Sequence, residues 1–279
     1  MGTAMRGNRN SEQYNIRVLD RAVQILTLLS DGRPRTLTEI SEEIGFSNST
    51  AFRLLVTLAA HHLVERDPKD GRYRLGLRCL ELARAYHDSS DLRRVALPEL
   101  ERLRDETGET VHLAILDEME VVYLEKLHGH HAIGLMSSRV GARLPAYCTG
   151  LGKILLAYVN PEEVRDYFSR REMRRFTPET ITNVPDLINH LEEVRARGYA
   201  LDRGEHEAEV RCVAAPVFDA DGTVIAAISV SGPASRMDPV EANHVLIERT
   251  LQTAQIISTK LGYRRSASKT QFPQGGKNA

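Results

Sequence analysis

Cys212 opens an apolar run in EVRCVAAPVFDADGTVIAAISVSG, with His206 and Glu207 a few residues upstream. A thiol near an imidazole and a carboxylate can be a nucleophile, a redox sensor, a metal ligand or plain core. Nucleophilic use needs a thiolate, a base within hydrogen-bond reach and donors for a developing oxyanion. Val213, Ala214 and Ala215 suggest instead a buried strand, where apolar surroundings raise a thiol's pKa and oppose reactivity. A second cluster is KLHGHHAIG, which gathers His128, His130 and His131, with His112 on a nearby strand-like run. Residues two apart on a strand share a face, so His128 and His130 could hold one ion. No cysteine or well-placed carboxylate completes that set, and Gly129 suggests a turn. A solvated histidine loop is the expected reading, with no metal and no cofactor.

A third constellation suits a small ligand. GARLPAYCTGLGKILLA sets Gly141, Gly150 and Gly152 beside a helix start, where backbone N–H groups can receive a carboxylate. Ser229 and Ser231 in ISVSG put two hydroxyls on one face of a strand. Asp202 in YALDRG can accept from a ligand hydroxyl, and Cys212, Met136 and Leu144 would form an apolar wall. On the residues alone, two plain surface serines explain ISVSG equally well.

The elements that must position these groups divide into two kinds. The 279 residues favour two domains over one, and 42% hydrophobic with 27% charged residues is the composition of an ordinary globular protein. No window approaches the roughly 20 apolar residues that span a bilayer, and MGTAMRGNRNSEQYN lacks the apolar segment of a secretion signal. Three widely spaced cysteines without a CxxC pair fit a reducing cytoplasm. A net charge of −1 offers no global footprint for nucleic acid, so any DNA contact must rest on local charge.

Residues 1–15 and the tail from Arg264 are polar and read as disordered. IRVLDRAVQILTLLSDG has a helical apolar period closed by Gly32. Thr38 is expected to cap the short helix TEISEEIG, SNSTAFRLLVTLAAHH reads as a second helix, and LVERDPKDGRYRL as two strands around a turn. The following stretch to Gly108 is helical, with a break near Ser89 and Ser90 and another possible at Pro98. Beyond Gly108, strand-like runs at VHLAILD, VVYLEKL, HAIGLMSS, YALDRG, VRCVAAPVFD and VIAAISVSG alternate with helices. This pattern predicts an α+β domain with a helix-covered face.

Two short helices, a tight turn and a β-hairpin make a winged helix-turn-helix arrangement. In the second helix Ala51, Leu54, Leu55 and Leu58 would face the core, leaving Ser49, Phe52 and Arg53 outside. Ser47 or Asn48 can cap that helix. Arg53 suits guanine or phosphate, Phe52 a thymine methyl, and Arg72 and Arg74 flanking Tyr73 make a basic wing. With Thr38 and Thr50, these residues form the expected DNA-contact set. A generic helical bundle fits the pattern about as well.

LDRAVQILTLLSDG, LTEISEEIGFSNSTAFRLLVTL and ERDPKDGRYRLGLRCLEL resemble the N-terminal domain of the IclR family of bacterial transcription regulators. The resemblance continues through AYCTGLGKILLA, RARGYALDRGEHEAEVRCVAAPVFDADG and AAISVSGPASRM, covering roughly Val18 to Gly262. It implies a winged helix-turn-helix over residues 16–76, linker and dimerisation helices over 77–107, and a GAF-like α/β effector domain over 108–263. It further implies a cytoplasmic regulator that is not an enzyme and is more readily a repressor than an activator, whose partners are a double-stranded DNA operator, a small carboxylate effector and a second copy, with dimers pairing into tetramers. A metal- or cysteine-dependent enzyme on the second domain is the rival. The positions matching the family's effector pocket are Ile133, Met136, Leu144, Gly150, Leu151, Asp202, Cys212, Ser229 and Ser231. Few of them are aromatic, which favours a small polar keto or sugar acid over an aromatic one. Tyr147 departs from the family pattern and is expected to narrow the pocket or touch the ligand.

Overall fold

The structure, a computed structural model, describes residues 16–130 and 136–264. Both terminal segments expected to be disordered, apart from Arg264, lie outside the described residues, as do His131 and Ile133. The chain forms two compact units that divide between Ser90 and Asp91.

The first unit contains α1 (Arg17–Leu29), α2 (Leu37–Ile44), α3 (Asn48–Ala60), β1 (Val64–Arg66), β2 (Tyr73–Leu75) and α4 (Leu77–Ser89). Ile25 and Leu29 of α1, Ile40 of α2, and Leu54, Leu55 and Leu58 of α3 close over Val64 and Tyr73 of the hairpin to form its core. Arg35 pairs with Tyr73 through both backbone bonds, Arg35 N–H to Tyr73 O at 3.0 Å and the return at 2.6 Å, adding a third segment beside β1 and β2. The Arg35 guanidinium binds both Asp31 oxygens at 2.8 Å and Glu43 at 3.0 Å, tying the end of α1 to α2.

The α2 cap differs from expectation. Thr36, not Thr38, begins the helix: its hydroxyl accepts from Glu39 N–H at 3.2 Å while the Glu39 carboxylate accepts from Thr36 N–H at 2.7 Å. The spacing Thr36-x-x-Glu39 satisfies two end donors reciprocally, whereas Thr38 has Ser41 three residues on and stands exposed inside the first turn. Gly45 closes α2 in the left-handed region at φ 75°, which a side chain would strain. Ser47 caps α3 by accepting from Thr50 N–H at 3.3 Å.

The second unit runs α5 (Asp91–Thr107), β3 (Thr110–Asp117), β4 (Glu120–Leu127), β5 (Arg143–Pro145), α6 (Gly150–Leu156), α7 (Pro161–Ser169), α8 (Val184–Arg197), β6 (Ala200–Asp202), β7 (Val210–Phe218), β8 (Val224–Pro233), α9 (Ala234–Met237) and α10 (His244–Lys260). Its sheet is antiparallel and six-stranded, in the order β5-β4-β3-β8-β7-β6. Helices cover both faces rather than one. Val111, Leu113, Val213, Ile228 and Val230 pack with α5 and α10 on one side, and Ala114, Cys212, Ala214 and Ala227 with α6, α7 and α8 on the other. Both faces are therefore apolar over much of their area, which explains why the strands read as runs as much as alternations.

Two further expectations change, and one helix break falls where it was expected. The described end of HAIGLMSS, from Met136, is not a strand, and the sheet edge is β5 instead. The Lys126 ammonium donates to the carbonyls of Met136 at 3.3 Å and Ser138 at 2.5 Å, so side-chain bonds hold this segment in place of a ladder. Pro98 lies inside α5 without ending it, in a helix anchored by buried Ala96, Leu100 and Leu103. The helical stretch over 77–107 breaks after Ser89, so that α4 falls in the first unit and α5 in the second. Thr36→Ala is expected to cost about 1 kcal/mol of first-unit stability in urea unfolding, whereas Thr38→Ala should change it by under about 0.5 kcal/mol.

Candidate functional site

Sheet register assembles the candidate cleft. Asp202 of β6 pairs with Cys212 of β7, and Cys212 with Ser231 of β8. One step along the same face, Ser229 pairs with His112 of β3. Directly paired residues project to the same side of a sheet, so a carboxylate, a thiol, two hydroxyls and an imidazole meet under α6. The start of α6 comes so close that a β-carbon on Gly150 would stand 3.0 Å from the Cys212 sulfur and 3.5 Å from the Asp202 β-carbon. A side chain there would make the Cys212 side chain give by a few tenths of an ångström. Thr149 caps α6, its hydroxyl accepting from Gly152 N–H at 3.0 Å.

The resulting cleft encloses about 440 Å³ of empty space, counting its open mouth. Met136, Leu144, Gly150, Leu151, Asp202, Cys212, Ser229 and Ser231 all line it, while Ile133 lies outside the described residues. Sequence reasoning missed His112, Tyr123, Ser137, Ser138, Thr149 and Val210 as lining, and gave His206 and Glu207 no place in it. His112 and Tyr123 come from adjacent strands and meet edge to face at 5.3 Å between ring centroids. The alternation of β3 shows that His112 shares a face with Ala114, but only the register shows that this face meets Ser229. Tyr147 is not in the cleft: it is buried, its hydroxyl donates to Arg174 O at 2.8 Å, and its ring meets Phe168 edge-on.

A hydrogen-bonded frame surrounds the cleft. Asp202 Oδ1 accepts from Gly204 N–H at 3.0 Å and Glu205 N–H at 2.8 Å. Behind it the fully buried Lys153 pairs with Glu205, whose second oxygen has no partner among the described residues. Glu207 accepts from both the N–H and the hydroxyl of Ser137, at 2.9 and 2.5 Å, strapping that segment to the turn after β6. His112 Nε2 lies 2.9 Å from the Ser138 hydroxyl and its Nδ1 3.3 Å from that of Ser229.

Burial sets the charges. It raises the Asp202 carboxyl above its ordinary value although Lys153 opposes the shift. Burial, helped by Asp202, pushes the Cys212 thiol up to about 12, so at neutral pH the group is a thiol rather than a thiolate. Burial first, then Lys126 and His128, lowers His112 to about 3, leaving a neutral imidazole. The ring of His206 packs on Phe176 with centroids 4.6 Å apart, and its Nδ1 lies 3.9 Å from Glu207. Among the described residues it makes no hydrogen bond to Cys212. Among the described residues, no lysine or arginine lines the cleft.

Of the histidines considered for a metal, His131 lies outside the described residues. His128 and His130 are exposed, His130 lies 3.6 Å from Asp105, and His112 points into the cleft. Among the described residues no three His, Cys, Asp or Glu side chains converge as a metal site, and no helix is long and apolar enough to cross a membrane.

On α3, Ala51, Leu54, Leu55 and Leu58 are buried while Ser49, Phe52 and Arg53 are exposed. Two of the expected DNA-facing groups have partners inside the unit. The Asn48 amide oxygen accepts from the Ser41 hydroxyl, joining α3 to α2, and the Thr50 hydroxyl lies 2.9 Å from that of Ser47. The wing arginines are also engaged. Arg72 donates to Glu39 at 3.2 Å and Pro34 O at 3.1 Å, and Arg74 to Glu65 at 2.5 Å.

A winged helix-turn-helix in one unit and a polar cleft under helices in the other define a ligand-responsive DNA-binding regulator. Residues 18–68 match the IclR helix-turn-helix domain, and residues 84–259 match the C-terminal domain of bacterial IclR transcriptional regulators. The chain is 39% identical over 249 residues to the HTH-type transcriptional regulator XynR of Escherichia coli, covering 89% of this chain and 98% of that one. It is 36% identical to the HTH-type transcriptional repressor AllR of Klebsiella pneumoniae, over 92% and 94% of the two chains. The crystal structure of an IclR homologue from Microbacterium hydrocarbonoxydans complexed with 4-hydroxybenzoate is 32% identical, with a TM-score of 0.76 over 88% of this chain and 98% of that one. The chain belongs to the IclR family of transcriptional regulators.

Two predictions follow from the buried charges. Lys153→Ala leaves Glu205 buried without its cation, and should cost the second unit about 3–5 kcal/mol in chemical denaturation. His112 takes up its proton near 6.5 when unfolded but only near 3 when folded. Its contribution to stability is therefore complete above pH 6.5 and is lost as the pH falls toward 3. His190, lowered to about 4 by burial, acts in the same direction. Between pH 5.5 and 4, His112→Gln should reduce the pH slope of the unfolding free energy by about 1.4 kcal/mol per pH unit.

Proposed function

We propose that the cleft senses a small hydroxylated organic acid, of the keto- or sugar-acid class, and that its occupancy sets how tightly a dimer of this repressor holds its operator in the cytoplasm. The observation that carries this reading is the polar ring of the cleft. The hydroxyls of Tyr123, Thr149, Ser229 and Ser231 offer donors for a carboxylate, and Asp202 offers a buried acceptor for a ligand hydroxyl. Much of the space in the cleft belongs to its open mouth, which favours a compact acid. The homologue carrying 4-hydroxybenzoate supports an organic acid as ligand, and the repressor named among the relatives supports the direction of control.

DNA binding rests on α3, where Ser49, Phe52 and Arg53 stand free of the core, with Ser47, Asn48 and Thr50 at its start. Thr38, Arg72 and Arg74 complete the contact set. Arg72 and Arg74 would have to exchange their present carboxylate partners for phosphates. Self-association is supported by Leu77, Leu80 and Leu82 of α4, which are 71%, 68% and 58% exposed in one copy, and by Val18, Leu19 and Val23 on α1. An effector alters operator affinity only if it binds one arrangement of the protein better than another.

The test is a thermal-shift screen with keto, aldonic and hydroxybenzoic acids, followed by calorimetry on the best stabiliser. The double variant Ser229→Ala, Ser231→Ala should weaken that ligand at least about tenfold while operator binding persists in the absence of ligand. An unchanged dose–response would remove the serines from the site.

A further inference from the structure

Several arginines of the first unit are engaged within it. Arg35 is held by Asp31 and Glu43, Arg72 by Glu39, and Arg74 by Glu65, while Arg66 donates to Gly71 O at 3.1 Å. Helix α2 is acidic, with Glu39, Glu42 and Glu43. Phosphate contacts supply affinity by releasing counterions, one for each phosphate neutralised.

Helix α3 is different. NSTAFRLLVTLAA contains no acidic residue, and its single charged residue, Arg53, makes no ion pair among the described residues. Beside Arg53 lie two apolar side chains that the core does not use. Phe52 is 49% exposed and Val56 is 51% exposed, and the interval of one helical turn places them on the same face. The buried face of α3, from Ala51 to Leu58, is already satisfied by α1, α2 and the hairpin. The floor of the major groove presents one apolar group, the 5-methyl of thymine, and a phenyl or aliphatic side chain on an entering helix packs against it.

We propose that Phe52 and Val56 form an apolar reader of thymine methyl groups in the major groove, selecting A·T pairs at the operator positions that α3 faces. This rests on the DNA-binding reading of α3, and the test separates the two. Duplexes would be selected from a random-sequence pool by the full-length protein, and each thymine of the selected site then replaced by deoxyuridine, which differs only by the methyl. Deoxyuridine at the contacted positions should weaken binding about fourfold per methyl. In Phe52→Ala and Val56→Ala the same replacements should have no further effect. Both side chains are exposed and alanine favours a helix, so these variants should fold. Selected duplexes that bind equally well with deoxyuridine at every position would overturn the proposal, as would an equal loss in wild type and variants. Loss of self-association in Phe52→Ala by sedimentation, with tolerance of deoxyuridine, would assign the strip to a second copy of the chain instead. A pool yielding no bound duplex would overturn the DNA-binding reading, and this inference with it.

Discussion

The cleft depends on a lysine that never reaches water. Lys153 lies in the middle of α6, the helix wedged between the sheet and the pair α7 and α8, and has no exposed surface. A buried ammonium is tolerable only when paired, and Glu205 provides the charge from the turn after β6. That pair fixes the turn against the helix. The Thr177 and Thr180 hydroxyls, donating to Gly204 O at 2.7 Å and Glu205 O at 2.6 Å, hold it from the outside. From the fixed turn, two N–H groups grip Asp202 and the Glu207 carboxylate grips Ser137. Desolvation offsets much of the attraction in such a pair, so its contribution is to position as much as to stability.

The same turn makes Cys212 intelligible. A sulfur under Gly150, beside a buried carboxylate and two serines, has neither the base nor the exposure of a nucleophile. Its strand neighbours already indicated a core thiol. What they could not indicate was the company it keeps, because Asp202, Ser231 and His112 join it only through cross-strand register. Strand type is legible from local composition. Register depends on which apolar faces meet, and here both faces are apolar. Asp202, Ser229 and Ser231 were readable as ligand-facing from their spacing and the family resemblance, but neither gave a place to Tyr123 or His112.

Local errors have local causes. Thr36 and Thr38 both precede apolar-periodic residues, and the capping box at Thr36 and Glu39 was the deciding signal in the sequence. HAIGLMSS is hydrophobic enough for a strand, yet its described end is captured by Lys126 and Glu207 side chains that no propensity anticipates. The exposed face of α3 was readable because its four buried positions follow the helical period without a gap. The pairing of Arg72 with Glu39 was not readable, since the two are far apart in sequence and only the fold brings them together, whereas Arg74 and Glu65 face each other across the expected hairpin.

A cleft without lysine or arginine among the described residues of its wall can still favour an anion. Charged side chains bring attraction together with a desolvation penalty and side-chain entropy, whereas hydroxyls held in a fixed frame are preoriented dipoles whose reorganisation cost was met on folding. His112 extends that logic. Its neutral imidazole, held between Ser138 and Ser229, can donate from one nitrogen and accept at the other, so the proton on Ser229 can be directed toward a carboxylate or away from it. On the proposed reading, Asp202 would then oppose simple anions and reward those that carry a hydroxyl to donate. Discrimination would arise from the unpaired buried acceptor that the wrong ligand leaves behind, a larger effect than the gain from any single correct contact.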